Sequence, residues 1–400
     1  MHAGTLAPIW PRRQRRARDG IAYSPVLPFG RCHTRPTVSS GSIIEPIHPS
    51  VFFRRAEGGR VVCEMCPRAC TLGEGQRGVC FVRACRDGSM VLTSYGRSTG
   101  FCIDPIEKKP LYHFLPGTPV LSFGTAGCNL TCKFCQNWET SRARDVERGS
   151  AVASPDDIAE AAVRNGCASV AMTYNDPVVF FEYAVDAADA CRSRGVRTVA
   201  VTAGSMMPAP REAFYRHFDA ANVDLKAFSQ RFYREMCGGE LAVVLDTLVF
   251  LRARTKVWLE ITTLLIPGEN DSDDELDQMT RWLRSNLGPS VPLHFSAFHP
   301  DFRLLDHAPT SLPTLQRARA IAQGNGLQHV YIGNVRDDDG AATACAGCGA
   351  KLIGRAGYDI TAWALTDEGA CSNCGQTCAG VFNGKPGTWG NRRLPIAVGR

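Results

Sequence analysis

Between residue 118 and about residue 335 short apolar runs alternate with longer stretches in which apolar positions recur every three or four residues. The runs Pro119–Phe123, Ala168–Tyr174, Val196–Thr202, Asn222–Lys226, Val257–Ile266, Leu293–Phe298 and His329–Ile332 read as buried strands. Helices are predicted over Ile158–Asn165, about 178–194, from the acidic start at Asp271 to about Asn286, and about 311–324. The first opens on Ser154-Pro155-Asp156-Asp157, an N-cap followed by proline and acids in the first turn. Such alternation implies parallel strands covered by helices, with functional residues at the C-terminal strand ends.

The flanks break this pattern. Residues 1–50 have no periodicity and carry a basic run at 11–16, so they read as a tail, disordered or placed there by a misassigned start. Residues 51–117 form a cysteine-rich segment whose proline-dense end, 102–117, reads as an irregular, surface-hugging linker. The core then spans 118–338, a second cysteine-rich module 339–382, and a tail 383–400. In the linker, Lys108, Lys109, Tyr112 and His113 could reach a substrate or be ordinary packing residues.

Composition narrows the class. A 400-residue chain that is 44% hydrophobic is globular, and it has no apolar run near the ~18 residues of a membrane span. The net charge of +6 owes much to arginines in the N-terminal tail, so neither nucleic acid nor membrane is an expected partner. Eighteen cysteines, clustered at metal-ligand spacings and with no signal peptide before them, point to metal and cluster ligation in a reducing cytoplasm.

The sharpest motif is Cys128-Asn-Leu-Thr-Cys132-Lys-Phe134-Cys135, on a glycine-bounded loop leaving the first strand. Three thiolates on one tight loop can hold three irons of a [4Fe–4S] cluster and leave the fourth open. S-adenosylmethionine could chelate that iron through its amino and carboxylate groups, and one electron would then release a 5′-deoxyadenosyl radical. Zinc sites prefer two separated Cys-x-x-Cys pairs, and this loop contains no fourth cysteine or histidine.

Polar residues close the other strands: Tyr174-Asn175-Asp176-Pro177, Thr202-Ala203-Gly204, Asp224-Leu225-Lys226, Thr262-Thr263 with Glu269-Asn270-Asp271, and His299-Pro300-Asp301. Asn175 and Asp176 suit the ammonium of S-adenosylmethionine, and Asp224 and Lys226 suit its ribose or carboxylate, unless they form a plain ion pair. His299 is a further candidate, or a capping residue. Cys63, Cys66, Cys70 and Cys80 could form a zinc site or a second cluster, with Cys85 as a fifth candidate. Cys345-x-x-Cys348-Gly and Cys371-x-x-Cys374-Gly form a zinc-ribbon signature, with Cys378 spare.

Taken together, Cys63-x-x-Cys66-Pro67, Asp104-Pro-Ile-Glu-Lys-Lys-Pro-Leu-Tyr-His-Phe-Leu-Pro-Gly117, Gly127–Glu139, Thr173-Tyr-Asn-Asp-Pro177, Asp224-Leu-Lys226, Glu260-Ile-Thr-Thr-Leu-Leu-Ile-Pro-Gly268, Tyr331-Ile-Gly-Asn334 and the closing knuckles resemble the radical SAM enzymes of the AmmeMemoRadiSam family. That family is related to activating enzymes of glycyl-radical enzymes such as pyruvate formate-lyase. The resemblance covers about residues 52–382. It implies an α/β fold with a partial (β/α)6 TIM-like barrel, a Cys-rich N-terminal segment and a C-terminal zinc-ribbon-like module. It also implies a SAM-bound [4Fe–4S] cluster on Cys128, Cys132 and Cys135, with Phe134 and the 174–177 turn beside it. Implied partners are Memo-like and AMMECR1-like proteins and a one-electron donor such as flavodoxin or ferredoxin. The chain departs from the family at Asp176, where glutamate is commoner, and at Ala203, where asparagine is. A glycyl-radical activase and a non-enzymatic iron–sulfur or zinc scaffold are the competing readings, and S-adenosylmethionine cleavage separates the scaffold from the enzymes.

Overall fold

The structure, a computed structural model, describes residues 47–145 and 150–399, so the basic run and nearly all of the proposed N-terminal tail lie outside the described residues. Its centre is a nine-stranded sheet built from β1 (Phe101–Pro105), β2 (Pro119–Phe123), β3 (Ser169–Met172), β4 (Arg197–Thr202), β5 (Ala220–Asp224), β6 (Trp258–Leu265), β7 (Leu293–Ala297), β8 (Val330–Gly333) and β9 (Leu394–Ile396). The strand order is β8-β7-β6-β5-β4-β3-β2-β1-β9. Strands β2 to β8 are parallel, each beside its neighbour in the chain. Because parallel crossovers are right-handed and every step runs the same way, the helices fall on one face and the other face lines a lumen. The seven parallel strands with their six crossover helices make a partial barrel, the (β/α)6 repeat that the resemblance implies followed by one further strand.

Helices α1 (Pro155–Arg164), α2 (Phe181–Arg192), α3 (Pro208–Tyr215), α4 (Leu241–Arg254), α5 (Asp273–Leu287) and α6 (Leu312–Gly324) supply the crossovers. Ser154, Ser272 and Ser311 cap α1, α5 and α6 by accepting backbone N–H bonds. Two of these helices are not apparent from the sequence pattern. Helix α3 carries prolines at 208 and 210, which read as loop although both fall in its first turn, where a missing N–H costs nothing. Helix α4 is apolar nearly all round, so no 3.6-residue stripe stands out.

The 102–117 stretch is a correction. Rather than hugging the surface, it opens as strand β1 and then turns inward. Ile106, Leu111, Phe114 and Leu115 pack against Val120, Ala171, Val199 and Ala220, plugging the N-terminal mouth of the barrel. Its prolines shape the turns, and the apolar residues between them are buried. The 383–400 tail is also corrected: β9 pairs with β1, and Trp389 N–H donates to Gly117 O at 2.9 Å. Gly117 has φ 75° and lies so close to Gly387 that a Cβ would meet its carbonyl oxygen at 2.3 Å.

The cysteine-rich ends have their own small sheets. The N-terminal segment folds as two three-stranded antiparallel sheets, one containing Val61–Cys63 and the other Arg83–Arg86. Residues 343–363 form a third, also antiparallel. No helix among the described residues is long and apolar enough to cross a membrane.

Candidate active site

The loop after β2 is held on every side. Asn175, beyond the end of β3, accepts from Thr125 N–H at 3.0 Å and donates Nδ2 to Gly127 O at 2.7 Å. Gly127 N–H donates to Thr140 O, and Asn129 Nδ2 donates to Ser205 O at 2.9 Å. On the far side Thr131 N–H and Lys133 N–H donate to Cys237 O and Met236 O, at 2.7 and 2.9 Å. Those carbonyls belong to a π-helical turn, Tyr233–Cys237, a local irregularity common at functional sites. Gly238 and Gly239 end it because a Cβ would strike Thr131 Oγ1 at 2.3 Å and Leu130 Cδ2 at 2.8 Å, respectively.

The three cysteines therefore sit on a fixed frame at the C-terminal ends of the strands. Phe134 is buried, its ring 5.7 Å from that of Phe232, and forms an apolar wall. Cys135 Sγ lies 3.2 Å from Ser141 Oγ. Burial and the neighbouring Asp176 carboxylate push the Cys128 thiol up, and burial does the same to Cys135. Cys132 is held well above the ordinary thiol range by a hydrogen bond to Cys237 and by burial. A thiolate is costly here unless a cation partners it.

The predicted partners of S-adenosylmethionine divide. The Asn175 amide is used on the loop, and Asp176 accepts from Val178 N–H at 3.1 Å, Thr202 Oγ1 at 2.9 Å and Ala203 N–H at 2.9 Å. Asn175 thus ties the end of β3 to the cysteine loop, and Asp176 ties it to the end of β4. Tyr174, at φ 72°, is a bulky residue in the left-handed region; its ring turns away from the loop and its hydroxyl donates to Asp104 Oδ2 at 3.2 Å. Asp224 and Lys226 form an ion pair at 2.9 Å. Burial opposes the Lys226 charge, but Asp224 and the sulfurs of Cys132 and Cys237 outweigh it and raise the ammonium well above its usual value. This pair stands beside Cys132, and His299 bonds Gln136 at 3.0 Å across the loop.

Residues 123–280 match the family model of the radical SAM superfamily. The chain is also 38% identical over 328 residues to the uncharacterized protein MJ0808 of Methanocaldococcus jannaschii, covering 82% of this chain and 97% of that one. The chain belongs to the radical SAM superfamily. The likeness to the archaeal protein runs beyond the barrel match and so takes in part of the flanking segments. Among solved structures, a domain of a pyruvate-formate lyase-activating enzyme from Bacteroides vulgatus is 17% identical, covering 42% of this chain and 99% of that chain at a TM-score of 0.37. A radical SAM methyltransferase from Sphaerobacter thermophilus is 17% identical, covering 58% of this chain and 70% of that chain at 0.45.

A radical SAM domain implies a [4Fe–4S] cluster and S-adenosylmethionine, and the donor set fits them. Cys128, Cys132 and Cys135 are not drawn together around a single point: among the described residues only two groups of three or more potential ligand atoms close to within 4.8 Å, and these cysteines form neither. Sulfurs bound to three different irons must stand wider than sulfurs sharing one ion.

The first close group is Cys345, Cys348, Cys371 and Cys374. Its sulfurs pair at 3.6 Å and 3.8 Å, Gly347 N–H points at Cys345 Sγ, and Asn373 Nδ2 donates to Cys348 Sγ. That last bond leads in pulling the Cys348 thiol down to about 6. The second, His113, His329 and Cys378, joins the plug to the residue before β8 and to the C-terminal module, with Cys378 Sγ 3.9 Å from His113 Nδ1. Both ring nitrogens of His113 are engaged, with Ala379 O at 2.6 Å and Tyr331 Oη at 2.5 Å, and burial holds the ring down to about 3. Lys108 and Lys109 are tied to Asp104 at 3.0 and 2.8 Å. Sequence reasoning did not single out Cys237 or Ser141; the Cys237-Gly-Gly run is the one local signal that could have flagged the turn facing the loop.

Proposed function

We propose that this protein is the radical SAM enzyme of an AmmeMemoRadiSam system, with Cys128, Cys132 and Cys135 holding a SAM-binding [4Fe–4S] cluster. The observation that carries the reading is the three-cysteine loop at the C-terminal end of the first parallel strand, pinned by Asn175 and the Tyr233–Cys237 turn. When bound, the cluster and S-adenosylmethionine supply one-electron cleavage of the sulfonium to methionine and a 5′-deoxyadenosyl radical.

The residues around it have distinct tasks. Asn175 and Asp176 fix the backbone facing the methionine end. The Lys226 ammonium, oriented by Asp224, offers positive charge to a carboxylate beside Cys132. Phe134 and Phe232 keep water from the cluster edge. Inside the barrel, Asn222 donates to Pro110 O and Thr262 Oγ1, which marks the inward row of β5; Asp224, two residues on, shares that face. A chamber above the plug, lined by such residues, would receive a group of the substrate. A Memo-like or AMMECR1-like protein is the proposed partner, a flavodoxin or ferredoxin the electron source, and a reducing cytoplasm the setting. The four C-terminal cysteines would hold a structural zinc, because sulfurs bound to zinc at about 2.3 Å stand about 3.8 Å apart and the observed pairs match.

The test is anaerobic. Protein reconstituted with iron and sulfide, reduced and given S-adenosylmethionine should form 5′-deoxyadenosine, and addition of a partner protein should raise the rate. Cys132→Ala should form none. Undiminished cleavage by Cys132→Ala would remove the site assignment.

A further inference from the structure

Beside the radical SAM loop lies a cavity in the N-terminal segment. Four cysteines line it: Cys63, Cys66, Cys70 and Cys80. Cys63 and Cys80 are buried, and Cys66 and Cys70 half-buried. Gly78 sits at the wall, where a Cβ would stand 3.6 Å from Cys70 Sγ and 3.7 Å from Cys80 Sγ, so the absent side chain keeps the space between them open. Cys85 is not part of it and points instead toward Glu74.

We propose that Cys63, Cys66, Cys70 and Cys80 hold a second [4Fe–4S] cluster, not a zinc ion. Four sulfurs around one zinc are drawn to about 3.8 Å of one another. The C-terminal cysteines show that closure, and no three of these four close even to within 4.8 Å. The cavity's other walls are Met65, Leu72, Val178 and Val179, with Arg68 and Arg83 beside the cysteines. Sulfurs set wide around an apolar hollow suit a cubane, whose irons and sulfides occupy the centre.

Placement gives the group a role. Asn129, next to Cys128, forms part of the cavity wall, and Arg68 Nε donates to Asn129 O at 3.3 Å. Gly127 lies against Cys80, where a Cβ would meet the Cys80 carbonyl oxygen at 1.9 Å. Gly127 and Asn129 thus lie between the two cysteine sets. Four thiolates complete the ligand set and leave no iron open, so this cluster is a one-electron carrier beside the catalytic one and not a second place to chelate S-adenosylmethionine.

Iron and zinc counts on the full chain decide it. The reconstituted protein should contain about eight irons and one zinc per chain. The Cys128→Ala/Cys132→Ala/Cys135→Ala variant should keep about four irons and a reduced-cluster electron paramagnetic resonance signal that S-adenosylmethionine does not perturb. Adding Cys66→Ser and Cys70→Ser should abolish that signal and leave the zinc count unchanged. Two zincs and about four irons in the unmodified protein would overturn the proposal, and that count needs no variant to fold. An iron-free triple variant would overturn it as well. Because these readouts do not involve S-adenosylmethionine cleavage, they fail independently of the proposed function.

Discussion

Asn175 offers a test of how the radical SAM loop is organised. Its side chain is buried, accepts from Thr125 N–H and donates to Gly127 O, with weaker approaches to Ala126 O and Thr125 Oγ1 at 3.4 Å. Asn175→Ala strips a partner from one buried N–H and one buried carbonyl. Each orphan costs about 1–3 kcal/mol, and a water entering the space left would recover part of it. A net penalty of about 2–4 kcal/mol falls on the loop conformation that presents the cysteines. At about 1.4 kcal/mol per decade, the reconstituted cluster should resist a chelator roughly a hundredfold less well. Asn175→Asp should be no better, because it keeps an acceptor for Thr125 but turns a carboxylate oxygen toward the Gly127 carbonyl. The assay is iron retained per chain against time in chelator, alongside equilibrium binding of S-adenosylmethionine. Full iron retention with lost S-adenosylmethionine binding in Asn175→Ala would refute the argument, since it would mean the amide serves the ligand and not the loop.

Other groups give independent checks. Arg83 and Glu182, 2% and 5% exposed and 2.7 Å apart, fasten the N-terminal segment to α2; Arg83→Met should cost about 3–5 kcal/mol in urea unfolding, and Arg83→Met/Glu182→Leu much less, so equal losses would contradict a pairing role. Burial raises the Glu107 carboxyl from 4.5 to about 7, so its contribution to stability is full below about 4.5 and is lost as pH rises through about 7. Glu107→Gln, which can still accept from Gly117 N–H, should flatten stability across that window, and an unchanged slope would remove Glu107 as the source. Cys348→Ser should lose the zinc proposed for the C-terminal cysteines while iron content stays constant; unchanged zinc would show that the metal sits elsewhere.

The barrel was legible because its buried strands are written as short runs rich in apolar residues, such as Val257–Ile266 and Leu293–Phe298, repeated with helical stretches between them. The cysteine loop was legible because its chemistry is carried by spacing within eight residues. What escaped depends on contacts distant in sequence. Nothing local says that Asn175 spends its amide on Gly127, 48 residues earlier, or that the 102–117 stretch turns inward. Proline density there reads as surface, yet the partners that bury it, Glu260 and Arg355, lie some 150 and 240 residues downstream. The N-terminal cysteines have a spacing compatible with zinc or a cluster, and spacing alone does not choose between them.

The plug also decides how the barrel can be used. Glu260, buried near the start of β6, accepts from Tyr112 N–H at 3.0 Å, His113 N–H at 2.8 Å and Trp258 Nε1 at 2.9 Å, and pairs with His294 Nε2 at 2.7 Å. Burial would raise its carboxyl, but the His294 hydrogen bond and charge hold it down to about 2. A buried carboxylate with four donors is costly to leave half-satisfied, so it fixes the linker in one arrangement. Arg355 of the C-terminal module reinforces this, donating to Tyr112 O at 2.7 Å with its guanidinium 4.2 Å from the Tyr112 ring centroid. The N-terminal mouth is thereby closed by groups that cannot leave singly. Among the described residues the plug occupies the N-terminal mouth, which leaves the cysteine loop facing the C-terminal strand ends, where the loops after β5 and β7 carry Lys226 and His299.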